Sequence, residues 1–157
     1  MNNVTINSDG KPEWSAGVER FALKVLDEID RDDWELSILF CDDKKITELN
    51  RQYREKDEPT DVLSFFLGET IKENEKTIYY PGDIVISLET LYENAGYFKI
   101  PEDEELRRLL IHGILHLDGM DHNTNNMDEP MLLLQEEIMN KLNSERIIPL
   151  NQDGGKN

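Results

Sequence analysis

The chain has 157 residues, 38% of them hydrophobic, with a formal charge of −17 and one cysteine, Cys41. It is long enough to build a core, holds no apolar run near the roughly eighteen residues of a membrane span, and can form no intrachain disulfide. So large an acidic excess excludes attachment to nucleic acid by bulk electrostatics; such an activity needs a local basic feature or a partner that presents the substrate.

Residues 1–11 show no basic region followed by an apolar stretch, so they do not read as a signal peptide, and a cytoplasmic setting is expected. Val4-Thr5-Ile6 alternates as a short strand, and Asp9-Gly10 marks a turn. Pro12 suits the first turn of a helix running to about residue 30, with Trp14, Val18, Phe21, Ala22, Val25, Leu26 and Ile29 at helical spacing. Trp34, Leu36, Ile38 and Phe40 alternate with more polar neighbours and predict a strand with one apolar face. Asp42-Asp43 can cap a helix on which Ile46, Leu49 and Tyr53 share a face. Asn50 to Asp61 is polar and turn-rich, and a strand from Val62 to Leu67 follows. Gly68 to Gly82 reads as a charged linker, the tip of a long hairpin, before a buried strand at Ile84-Val85-Ile86. Ser87 is a good N-cap for a helix carrying Leu88, Leu91, Tyr92, Ala95 and Phe98.

Pro101 opens the next helix, and Glu102, Asp103, Glu104 and Glu105 suit the positive end of its dipole. From Leu109 to Leu117 it is apolar nearly all the way round apart from two histidines, as in a buried helix. Residues 123–128 form a polar loop. Asp128 can cap the last helix, on which Met131, Leu134, Ile138 and Leu142 keep helical spacing. Residues 150–157 read as a disordered tail. The expected fold is α+β: a small, about four-stranded mixed sheet flanked by helices, with the histidine helix buried at its centre.

The three histidines of the chain, His112, His116 and His122, lie within eleven residues. His112 and His116 are four apart and share a helix face. Continuing that helix would carry His122 roughly 15 Å along the axis from His112. Gly119 can instead end the helix in the left-handed conformation, letting the chain turn and aim a third imidazole at the first two. Three imidazoles with no fourth protein ligand are the donor set of a catalytic zinc site, although the same set also suits nickel or copper. The spacing resembles the metalloprotease motif, but Gly113 stands where the general-base glutamate would be, which counts against a peptidase. Asp118 and Asp121 are candidate acceptors for imidazole N–H groups, with a solvated helix end as the alternative for Asp118. Arg54 can bind a phosphate through its fork or pair with Glu55, Asp57 or Glu58 at the surface. Met127, Met131 and Met139 read as core filler and Cys41 as structural.

Two stretches together resemble the YbeY family of bacterial rRNA maturation factors. One is His112-Gly113-x-Leu115-His116-Leu117-x-Gly119-x-Asp121-His122. The other is Asn50-Arg51-x-Tyr53-Arg54-x-x-Asp57-x-Pro59-Thr60-Asp61-Val62-Leu63-Ser64-Phe65, followed by Gly82-Asp83-Ile84-x-Ile86-Ser87. The likeness runs from about Trp34 to Leu142. It implies one metallohydrolase domain over residues 1–149 and a cytoplasmic, zinc-dependent endoribonuclease acting on single-stranded RNA. Its implied role is 16S rRNA 3′-end maturation and ribosome quality control, with the ribosome or small-subunit ribosomal proteins as partners. It carries over His112, His116 and His122 as zinc ligands and catalytic residues, and Arg54 as a catalytic arginine in the RNA-binding cleft. On such a site the expected nucleophile is a metal-activated water or a ribose 2′-hydroxyl, and the sequence does not choose between them. Two rivals remain: a peptidase on the same site, and a ribosome assembly factor whose zinc is structural.

Overall fold

The computed structural model describes residues 1–8 and 12–149. Along them run β1 (Asn3–Ser8), α1 (Ser15–Glu28), β2 (Glu35–Cys41), α2 (Asp43–Arg54), β3 (Val62–Glu73), β4 (Lys76–Ser87), α3 (Leu88–Phe98), α4 (Glu102–Leu117) and α5 (Pro130–Lys141). The strands form one mixed sheet in the order β1-β2-β4-β3. β1, β2 and β4 are parallel, and β3 is antiparallel to β4. Parallel neighbours need a crossover rather than a tight turn. α1 supplies the first, and α2 with β3 spans the second.

Alternation along the strands sorts side chains onto two faces. Leu36, Ile38 and Phe40 of β2, with Ile84 and Ile86 of β4, enter the main core beside Phe21 and Val25 of α1 and Leu106, Leu110 and Ile114 of α4. Val85, which points the other way, joins a smaller cluster with Leu63 and Ile46 of α2. Eleven of the sixteen residues of α4 are buried, and it touches α1, α3, α5, β3 and β4. The histidine helix is therefore the central helix, as its all-round apolar pattern predicts. Gly113 makes the close approach possible: a Cβ there would lie 3.0–3.1 Å from side-chain carbons of Ile84. At the other end of α4, Asp103 accepts from the backbone N–H groups of Ile147 and Ile148 at 2.7 and 2.8 Å and from Arg107 Nε at 2.8 Å.

Several local expectations are corrected. α1 begins at Ser15, because the Pro12 carbonyl is used in a preceding turn, accepting from Ser15 N–H and Oγ. The polar, turn-rich stretch begins while still in the helix: Asn50 to Arg54 are the last part of α2, which agrees with Tyr53 on the helix face, and the turns follow. Its polarity reflects a solvent-facing turn, while Asn50 is buried and its Nδ2 donates to the Glu58 carbonyl at 2.9 Å. The charged stretch 68–82 is the two arms of the β3–β4 hairpin, which closes at Asn74 and Glu75, with φ of 49° and 66°. Two successive positive φ values match the twist of a hairpin. Met127 is exposed, while Met131 and Met139 are core residues. Glu129, not Asp128, precedes α5, and Pro130 fills its first position. The turn expected at Asp9-Gly10 and the tail at 150–157 lie outside the described residues.

Candidate metal centre

His112 and His116 stand on the last two turns of α4. The helix then closes with two reverse hydrogen bonds, Gly119 N–H to the His116 carbonyl and Met120 N–H to the Leu115 carbonyl, each 3.0 Å. This paired closure needs a left-handed residue after the cap. Gly119 supplies it at φ +95°, and nothing lies within 4 Å of where its Cβ would be. The demand for glycine is thus a matter of backbone conformation, not of space. The reversal brings His122 back to the helix end. Ring centroids lie 4.5 Å apart for His112–His116, 5.3 Å for His112–His122 and 5.6 Å for His116–His122. One nitrogen from each ring lies within 4.8 Å of the others, and all three residues are half-buried.

Each Nδ1 faces an oxygen. His112 Nδ1–H donates to Gln135 Oε1 at 2.7 Å, His116 Nδ1–H to the Met120 carbonyl at 3.0 Å, and His122 Nδ1–H to the Thr124 carbonyl at 2.9 Å. An acceptor at Nδ1 places the ring hydrogen there and leaves a lone pair on Nε2. The Nε2 atoms of His112 and His116 are 3.0 Å apart. Two lone pairs at that distance repel unless a cation lies between them. Two zinc–nitrogen bonds of 2.0–2.1 Å at a tetrahedral angle would hold them about 3.3 Å apart. The donor set therefore fits a metal ion, and among the described residues no aspartate, glutamate or cysteine joins it. A three-ligand set with room for water belongs to catalytic rather than closed structural sites.

The electrostatics favour the neutral, ligating form. Burial holds both His112 and His116 below the ordinary imidazole pKa. The hydrogen bond to Gln135 opposes this at His112, and the one to Met120 opposes it at His116. Arg54, exposed at the end of α2, lies close enough to depress His116 further, and Asp61 close enough to raise His112. Among the described residues Arg54 forms none of the ion pairs open to it; Asp57 is taken by Arg51 at 3.1 Å.

The two expected aspartate acceptors serve elsewhere. Asp118 binds the Arg31 fork at 2.6 and 3.1 Å, and Asp121 accepts from the backbone N–H of His122 at 2.8 Å. Their place is taken by Gln135 and two carbonyls. Gln135 had a signal: it is a lone polar residue on the face that α5 buries through Met131, Leu132, Ile138 and Met139. The Thr124 carbonyl had none. It is positioned by Glu129, whose carboxylate accepts from Thr124 N–H at 3.2 Å and Oγ1 at 2.8 Å. Cys41 is half-buried at the end of β2, its thiol pushed up to about 11 by burial, which suits an inert residue.

A family model described as Endoribonuclease YbeY matches residues 3–143. A Treponema denticola protein named Endoribonuclease YbeY is 46% identical over 142 residues, covering 88% of this chain and 92% of its own. A protein of the same name from Borreliella afzelii is 46% identical over 124 residues, covering 77% and 82%. The solution structure of a Thermotoga maritima protein superposes with a TM-score of 0.55 at 29% identity, covering 98% of this chain and 99% of that one.

Proposed function

The chain belongs to the YbeY endoribonuclease family, and from that premise we propose that it is a zinc-dependent endoribonuclease specific for single-stranded RNA, acting in the cytoplasm in 16S rRNA 3′-end maturation and ribosome quality control. Residues 1–149 act as one metallohydrolase unit. His112, His116 and His122 hold the metal. The observation that supports this most is the orientation of the rings: every Nδ1 is occupied by an oxygen, and the Nε2 atoms of His112 and His116 meet at 3.0 Å.

A bound Zn²⁺ supplies Lewis acidity and brings the pKa of a water toward about 7. The chain's own groups do the rest. Gln135, the Met120 carbonyl and the Thr124 carbonyl keep the imidazoles in the ligating tautomer. Arg54 binds the scissile phosphate and offsets the charge that builds on its oxygens. Its charge reaches His116, and it has no ion-pair partner among the described residues, which favours that role over a surface salt bridge. With a charge of −17 the chain has little other means of holding a polyanion, so a ribosomal protein partner that presents the RNA belongs to the proposal.

The peptidase alternative loses ground at Gly113, because a glutamate there would point into Ile84 of the sheet. The assembly-factor alternative, with structural zinc, draws on the acidic surface. The deciding experiment compares wild type, His116→Ala and Arg54→Ala for metal content and for cleavage of single-stranded RNA. His116→Ala should lose both. Arg54→Ala should keep its metal and cleave about 10²–10³-fold more slowly. A 2′,3′-cyclic phosphate product would identify the 2′-hydroxyl as nucleophile, and a 5′-phosphate would identify water. Undiminished cleavage by metal-free His116→Ala would overturn the proposal.

A further inference from the structure

Gln135 is 6% exposed and accepts from His112 through Oε1, but an amide has two ends. Turned over, it would offer its NH₂ to Nδ1 and draw the ring hydrogen to Nε2, where a metal must bind. His112 cannot make the choice, since its ring can present either tautomer. The choice is made on the far side of the amide. Gln135 Nε2 donates to Glu136 Oε2 at 3.2 Å. Glu136 is in turn clamped by the Arg108 fork, with Nε to Oε2 at 2.8 Å and Nη2 to Oε1 at 3.0 Å. Arg108 is steadied by Glu104 one turn earlier on α4, at 3.1 Å. The arginine holds the Glu136 carboxyl below the usual carboxylate range, so that group accepts only.

We propose that Glu136, clamped by Arg108, is a positioning residue: it fixes the orientation of the Gln135 amide and thereby the tautomer that His112 presents to a metal. The chain of constraint runs from a charge pair bridging α4 and α5, through a buried amide, to one ring nitrogen. The inference rests on reading the three histidines as a metal site.

Glu136→Gln is the test, because it keeps size and removes the acceptor-only character. In metal-free wild type, the ¹⁵N resonance of His112 Nδ1 should be that of a fully protonated nitrogen. In E136Q a population with unprotonated Nδ1 should appear. The affinity for Zn²⁺, measured by competition with a chelating dye, should fall about 10–100-fold. The double variant Q135E/E136Q places an acceptor beside His112 whatever residue 136 does, and should restore both readouts. A purely structural role for Glu136 in joining α4 to α5 would not be rescued in this way. R108Q, which leaves the carboxylate unclamped, should shift both readouts in the same direction by less, and it serves if E136Q does not fold. Wild-type behaviour in E136Q, or a double variant no better than E136Q, would overturn the inference. Neither readout uses RNA, so failure here is distinguishable from failure of the endoribonuclease proposal.

Discussion

At Gly113 a methyl group would press against three carbons of Ile84, at 3.0–3.1 Å. The helix would have to rise from the sheet or Ile84 would have to leave its rotamer, and overpacking of this kind costs about 1–3 kcal/mol. Gly113→Ala should therefore lower the urea midpoint of unfolding of the metal-free protein by a corresponding amount. A variant as stable as wild type would show that the contact relaxes freely. Gly119, six residues on, has open space around it and is required for its φ of +95° instead. Two glycines in one motif thus answer to different causes, close packing at one and backbone reversal at the other. The sequence offered the reversal at Gly119. It could not offer the contact at Gly113, because Ile84 is distant in the chain and meets it only through the fold.

Among the elements, α4 depends on an anchor at its start as well as on the apolar surface along its length. Asp103 is 3% exposed, Arg107 is 7% exposed, and the aspartate also holds the backbone of Ile147 and Ile148. Asp103 meets Arg107 through Nε, and among the described residues the buried Nη1 has no hydrogen-bond partner, so Asp103 is what compensates the charge of the guanidinium. Removing one member of a buried pair costs far more than the pair contributes, about 3–5 kcal/mol. Asp103→Ala should lose stability on that scale in chemical denaturation and should release residues 147–148 to fast amide exchange. A loss below about 1 kcal/mol would reduce the pair to a surface contact. In the sequence these acids read only as partners for the helix dipole. Glu104 also accepts from Arg108 at 3.1 Å one turn on, and the tertiary contacts of Asp103 come from residues more than forty positions away. The hairpin shows the opposite limit. Its charged arms looked like linker because exposed strands carry no apolar alternation, and its turn is Asn-Glu rather than the Asn-Gly that marks such turns.

For the molecule as a whole, the histidine site links folding to pH. Burial holds His112 and His116 below the ordinary imidazole pKa of about 6.5, so unfolding lets them take up protons. The unfolded chain then binds more protons than the native one. The stability these groups contribute is full above the ordinary pKa and is lost as pH falls below it. Glu105, raised by burial, acts in the opposite sense, but in the carboxylate range. The melting temperature of the metal-free protein should therefore fall between about pH 7.5 and about pH 5.5, and Zn²⁺ at the upper pH should raise it. A flat profile for the metal-free protein would mean that these imidazoles titrate alike in the folded and unfolded states.

The sequence by itself determined the three imidazoles, the helical spacing of two of them, the glycine reversal before the third, and the α+β order of the elements. These are local properties: side-chain period and backbone freedom are written in neighbouring residues. The tertiary structure decided what lies behind the ring of His112. Gln135 stands where an aspartate was expected, because α5 packs on α4 and leaves its amide within about 3 Å of the ring, whereas the Met120 and Thr124 carbonyls behind the other two rings come from the turn that follows the helix, four and two residues along the chain.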